Sequence, residues 1–93
     1  MAKTSPTQRT LARLKKENYD LIAITERWNP WAKVRQDLYG IIDILAIKDG
    51  STVALQVTSY SNISSRVRKI TESPALPFLR AANWSILVEG WKK

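Results

Sequence analysis

The pattern of apolar and polar positions gives its clearest strand signals in two neighbouring runs, "IIDILAI" (41–47), apolar but for Asp43, and "TVALQV" (52–57). Between them lies "KDGS", whose Asp-Gly pair is a strong signal for a two-residue hairpin turn. With Asp49 and Gly50 at the tip, opposed residues have numbers summing to 99, so Asp43 falls directly across from Gln56. Their Cβ atoms are then about 5 Å apart. Along the second strand Val53, Leu55 and Val57 point to one face, and Ala54, Gln56 and Thr58 to the other. Polar groups therefore gather on one side of an otherwise apolar hairpin.

Upstream, "SPTQ" (5–8) has the form of a helix start, with Ser5 as N-cap, Pro6 at the first helical position and Gln8 closing a capping box. The helix is predicted to run to about Asn18. Its apolar positions are few (Leu11, Ala12, Leu14), while Arg9, Arg13 and Lys16 form a basic stripe, either a solvated face or a phosphate contact. "YDLIAITERW" predicts a first strand over Asp20–Glu26, and Pro30 with the loss of period predicts a loop over 29–39. Trp28 and Trp31 there read as packing residues, or, interleaved with Arg27, Lys33 and Arg35, as platforms for bases.

After the hairpin, Ile63, Val67 and Ile70 recur at i, i+4 and i+7, predicting a second helix capped by Ser61 or Asn62 and ending before Pro74. "PALPFLRAAN" reads as a turn and a short helical piece, and "WSILVEGW" as a last strand. The order α, β, β, β, α, β predicts a single α/β domain over residues 1–93, with disorder confined to 1–4 and 92–93.

Composition narrows the chemistry. The chain has no cysteine and no histidine, which excludes disulfides, zinc sites built on those ligands and imidazole acid–base catalysis. Fifteen Lys and Arg against eight Asp and Glu give a net charge of +7, which points to a polyanionic partner, most simply DNA. The longest apolar run, Ile44–Ile47, is too short to span a bilayer, and the polar "MAKTSPTQRT" lacks a signal-like core, so no membrane partner and a cytoplasmic location are expected.

Asp43 is the residue that requires an explanation, because an ionised carboxylate removed from water costs several kcal/mol unless it is paired or bound to a metal. Two readings stand. In one, Gln56 and Thr58 satisfy it in a structural network. In the other, Asp43, the Gln56 side-chain oxygen and the Val57 carbonyl converge on a hard cation, Mg²⁺ or Mn²⁺, which prefers oxygen ligands and serves phosphodiester hydrolysis. The start of the second helix adds a natural anion site, which makes Ser61, Asn62, Arg66 and Lys69 the phosphate-contact candidates, with Arg68 further round the same helix and Arg35 in the 29–39 loop as further nucleic-acid candidates.

The element order, the Asp on the second strand and the polar-x-polar pair 13 residues later resemble the PD-(D/E)XK nuclease superfamily. "RQDLYGIIDILAI" followed by "ALQVTSYSNISSRVRKI" is most similar to its small phage and prophage members near the resolvase-like and VRR-NUC-like branches. The resemblance implies a restriction-endonuclease-like αβββαβ core, a central mixed sheet flanked by helices. It also implies a metal-dependent endonuclease acting on duplex or branched DNA, commonly as a homodimer. Under it, Asp43 matches the motif Asp, Gln56 the second acidic ligand, and Thr58 stands where the motif has lysine. Lys69 or Arg66 on the second helix is then the replacement cation. Asp37 is an additional carboxylate, or else a loop cap or a partner of Arg35, and Glu26 is a further candidate. The rival functions are a binding module that kept this fold without catalysis, suggested by Thr58, and a basic protein-binding scaffold.

Overall fold

Asp49 and Gly50 form the tight turn that their residue types favour, both in the left-handed region with φ of 51° and 77°. They join β4 (Ile44–Lys48) to β5 (Ser51–Ser59), which pair antiparallel from Lys48 opposite Ser51 to Ile44 opposite Leu55, in the register expected from sequence. The computed structural model describes residues 5–92. Its other elements are α1 (Pro6–Lys16), β1 (Leu21–Ile24), β2 (Arg27–Asn29), β3 (Val34–Gln36), a 3-10 turn (Tyr60–Asn62), α2 (Ile63–Thr71), α3 (Leu76–Ala81) and β6 (Ser85–Trp91). The result is an α/β fold with a mixed four-stranded sheet in the order β1-β4-β5-β6. β6 is parallel to β5, and the other neighbours are antiparallel.

Alternation along β5 decides which helix covers which face. Leu55 and Val57 join Ile44, Ala46 and Leu14 of α1 in one core, and Ala54 joins Ile41, Ile42, Ile70, Leu76 and Leu79 in the other, under α2 and α3. Each fully buried Leu or Ile side chain contributes about 1.5–3 kcal/mol of transfer free energy. Both cores meet at the central pair β4–β5, so those two strands are the most buried part of the sheet.

Ser5 caps the helix and Pro6 opens it as expected, the Gln8 backbone amide donating to Ser5 Oγ at 3.2 Å, without a return bond from the Gln8 side chain. The end comes earlier than Asn18, because that residue turns left-handed, with φ of 62°. Of the basic stripe only Lys16 is solvent-exposed; Arg9 and Arg13 are engaged within the fold. Arg9 stacks 5.1 Å from the Trp91 ring, and Arg13 pairs with Glu89 at 2.7 Å and with Glu17 at 2.5 Å. Buried Thr10 accepts from the Trp91 indole at 2.9 Å and donates to Glu89, so this face of α1 is fastened to β6.

Several expectations are corrected. The segment 29–39 is not a loop throughout. β2 and β3 form a separate antiparallel hairpin, with Trp28 opposite Arg35, and sequence reasoning missed it because each strand is only three residues long. Trp28 and Trp31 are not core packing residues; they are 60% and 94% exposed. Val67, placed by period on the buried face of α2, is exposed, and only Ile70 of that series is buried. Asn62 holds the N-cap position without a side-chain cap bond, because the 3-10 turn turns its amide toward Ser59 Oγ instead. Lys92 makes two contacts: its carbonyl accepts from Arg9, and its ammonium lies 4.6 Å from the Tyr60 ring. The disorder expected at residues 1–4 and at Lys93 lies outside the described residues.

Gly90 of β6 lets the start of α2 approach the sheet. A Cβ there would meet Ile63 Cδ1 at 2.5 Å and the Tyr60 Cα at 3.2 Å. Gly90→Ala is therefore expected to destabilise the protein by about 1–3 kcal/mol, the usual cost of overpacking. Urea denaturation checks this, and an unchanged midpoint would contradict it.

Candidate metal and phosphodiester site

Three successive chain reversals bring the polar residues together. Pairing of β2 with β3 sets Arg27 opposite Gln36, which places Glu26 and Asp37 at the two feet of the same hairpin. A tighter reversal follows at once. Tyr39 and Gly40 take φ of 54° and 75°, Leu38 bridges Ile42, and Asp37 is returned beside Asp43. The Asp49-Gly50 turn then brings Gln56 to Asp43. One carboxylate oxygen from each of Glu26, Asp37 and Asp43 lies within 4.8 Å of the others.

Asp43 sits where regular pairing of β4 with β5 stops. Its N–H donates to the Leu55 carbonyl at 2.8 Å, and its carbonyl accepts from Thr25 N–H at 2.7 Å at the end of β1. Its Oδ2 accepts from the Val57 N–H at 2.8 Å and from Gln56 Nε2 at 2.7 Å. The face-to-face placement of Asp43 and Gln56 expected from the hairpin register is thus present. Val57 meets Asp43 through its amide N–H, a donor, whereas the carbonyl was the group expected from sequence. Asp43, Gln56 and Thr58 are all at most 6% exposed.

Gln56 leaves one atom unpaired. Its Nε2 turns to the carboxylates, reaching Asp37 Oδ2 as well at 3.4 Å, while its Oε1 is buried without a partner. An orphaned buried acceptor costs about 1–3 kcal/mol. As it stands the amide serves the carboxylates as a donor; turned over, it would present Oε1 to a cation held among them.

The charge balance points the same way. Two like charges 4 Å apart repel by roughly 4 kcal/mol at an effective dielectric of 20. Lys69 Nζ approaches Asp37 at 3.5 Å and Arg35 approaches Glu26 at 3.7 Å, offsetting two of the three acids. Among the described residues no cation pairs with Asp43. Burial, assisted by the neighbouring Asp37 and Glu26, pushes its carboxyl from the ordinary 3.8 up to about 7, against the Val57 N–H that favours the ionised form.

These groups line a cleft of about 860 Å³ with walls from several elements. Trp28 and Arg35 come from the β2–β3 hairpin, Arg66 and Lys69 from α2, and Thr58 from β5. Arg66 Nε is buried there without a partner. Of the phosphate-contact candidates, Arg35, Arg66 and Lys69 reach the cleft, whereas Ser61, Asn62 and Arg68 lie outside its lining. Glu26, treated as a secondary candidate from sequence, is a full member of the acidic group. The signal that locates it is Asn29-Pro30, a turn pair flanked by strand-forming residues. Among the described residues no helix is long and apolar enough to cross a membrane. Compared with protein-family models, curated proteins and solved structures, the chain gives no significant match.

The raised Asp43 carboxyl has a definite consequence for stability. Between pH 3.8 and about 7 the folded protein keeps a proton that the unfolded chain has released, so this group makes unfolding progressively easier as pH rises through that window. Its full cost is present above about pH 7. Asp43→Asn cannot ionise, and its stability in EDTA should fall less between pH 5 and pH 8 than that of the parent. Urea titrations of both proteins at the two pH values measure the difference; parallel curves would contradict the assignment.

Proposed function

We propose that this protein is a metal-dependent DNA endonuclease of the PD-(D/E)XK type, hydrolysing phosphodiester bonds in the cleft above Asp43. The observation that carries the proposal is the convergence of the Glu26, Asp37 and Asp43 carboxylates within 4.8 Å of one another, with the Gln56 amide against two of them. The order α1, β1, β4, β5, α2, β6 supports the reading as a restriction-endonuclease-like core, with β2–β3 and α3 as additions. The net charge of +7 supports a polyanionic substrate.

Asp43, Asp37 and Glu26 would hold Mg²⁺ or Mn²⁺, joined by Gln56 Oε1 once its amide turns over, an all-oxygen set suited to a hard cation. When bound, such an ion supplies Lewis acidity to the phosphodiester and to water. The chain's own groups do the rest. Arg35 and Arg66 line the cleft as cations able to hold backbone phosphates. Lys69, beside Asp37, supplies positive charge where the phosphate gains negative charge, the role vacated by Thr58. Asp43 must be ionised to hold the cation, so proton release from this buried carboxyl accompanies loading.

Thr58 in the motif-lysine position favours a second reading, a DNA-binding module without catalysis. Purified protein is expected to cut linear, nicked or four-way DNA in Mg²⁺ or Mn²⁺ and to stop in EDTA. Asp43→Ala should lower the rate at least about 100-fold, the scale on which positioned electrostatic groups act. Activity surviving that change would remove the site from the mechanism, and salt-sensitive binding without cleavage in either metal would favour the module.

A further inference from the structure

The β2–β3 hairpin stands apart from the main sheet, and its surface is unusual for a structural hairpin. From Arg27 to Gln36 it carries two tryptophans, three cations and no acid. Trp31, at the tip, is 94% exposed. Its backbone is held by the turn: Asn29 Oδ1 accepts from the Trp31 and Ala32 amides at 2.9 and 3.1 Å, and Lys33 closes the reversal with φ of 55°. Trp28 and Arg35 are directly opposed, share one face and both line the cleft. Holding indoles in water is unfavourable, and a fixed turn that does so is matched to a partner with flat apolar faces and negative charge.

We infer that this hairpin is a stacking arm that selects single-stranded or unpaired nucleic acid for the cleft. Trp28 packs against an unstacked base, Arg35 meets its phosphate, and Trp31 holds a further base outside. The inference rests on the proposed nuclease reading and names its substrate class. Continuous duplex fits less well on two counts. Its bases are stacked on each other and offer no free face to Trp28. Its phosphates lie on a convex surface, whereas the acidic group sits at the buried floor of a cleft, with Asp43 only 6% exposed. A flexible strand can descend to that floor with its bases turned to the hairpin. The absence of acids along the arm gives the charge complementarity that a second copy of this basic chain would lack.

The test measures binding in EDTA of labelled oligothymidylate and of a blunt duplex, each about 20 nucleotides long, to the parent, Trp28→Ala, Trp31→Ala and Trp28→Phe, with circular dichroism confirming the fold. The single strand should bind at least about 10-fold more tightly than the duplex. Each alanine variant should lose on the order of 10-fold in single-strand affinity, since stacking contributes on that scale per base. Duplex affinity and the salt slope should hold, and Trp28→Phe should keep most of the preference. Equal affinity for both probes, no binding to either, or equal losses on both would overturn the arm. So would a dimer abolished by Trp31→Ala with single-strand binding unchanged. Cleavage of duplex in Mn²⁺ without single-strand preference would reject the arm and leave the nuclease. Single-strand preference without cleavage would do the reverse.

Discussion

The structure depends on a buried carboxylate at the point where the central hairpin stops pairing as a ladder. Asp43 takes the Val57 N–H with its side chain and the Leu55 carbonyl with its N–H, and it offers its own carbonyl to the end of β1. Three strands are thereby registered on one residue. A neutral side chain of similar shape would make much of the same pattern without the desolvation cost of a charge. What the carboxylate adds is an unsatisfied demand for positive charge, which its acidic neighbours increase.

That demand is built by chain reversals rather than by long-range docking of separate elements. The β2–β3 hairpin joins Glu26 to Asp37, the Leu38–Ile42 turn joins Asp37 to Asp43, and the Asp49-Gly50 turn joins Asp43 to Gln56. Each turn has its own local signature in left-handed residues, and each is short. The acidic group is accordingly a property of the segment 26–56. α2 supplies Lys69 and Arg66 from outside it, held by Ile70 in the core below and by the close approach that Gly90 permits. Cations on the cleft walls and acids on its floor are the arrangement on which the proposed phosphodiester chemistry rests.

How much of this was legible in the sequence follows from the length of each signal. The register of the β4–β5 hairpin was readable because Asp-Gly fixes the turn, and the contact of Asp43 with Gln56 followed from counting; its first strand begins at Ile44 rather than Ile41. The start of α1 was readable from Ser5, Pro6 and Gln8. β2 and β3 were not, since three-residue strands have no measurable period and Pro30 between them reads as a breaker. With the hairpin unread, the exposure of Trp28 and Trp31 and the place of Glu26 at its foot were hidden as well. The basic stripe of α1 misled for another reason. Charge spacing on a helix does not reveal that Glu89 and Trp91 wait on an adjacent strand to absorb Arg13 and Arg9. Val67 failed similarly, because α2 is covered on only part of the face its period defines.

The most direct test of the metal seat is anomalous scattering from a crystal soaked in Mn²⁺ near pH 8. The account predicts one strong peak among Asp37, Asp43, Glu26 and the Oε1 of Gln56, with Asp43 and Gln56 still on the same face of the sheet. No peak there, with Asp43 and Asp37 drawn together around a shared proton, would contradict it and leave the cleft as a cationic binding surface alone.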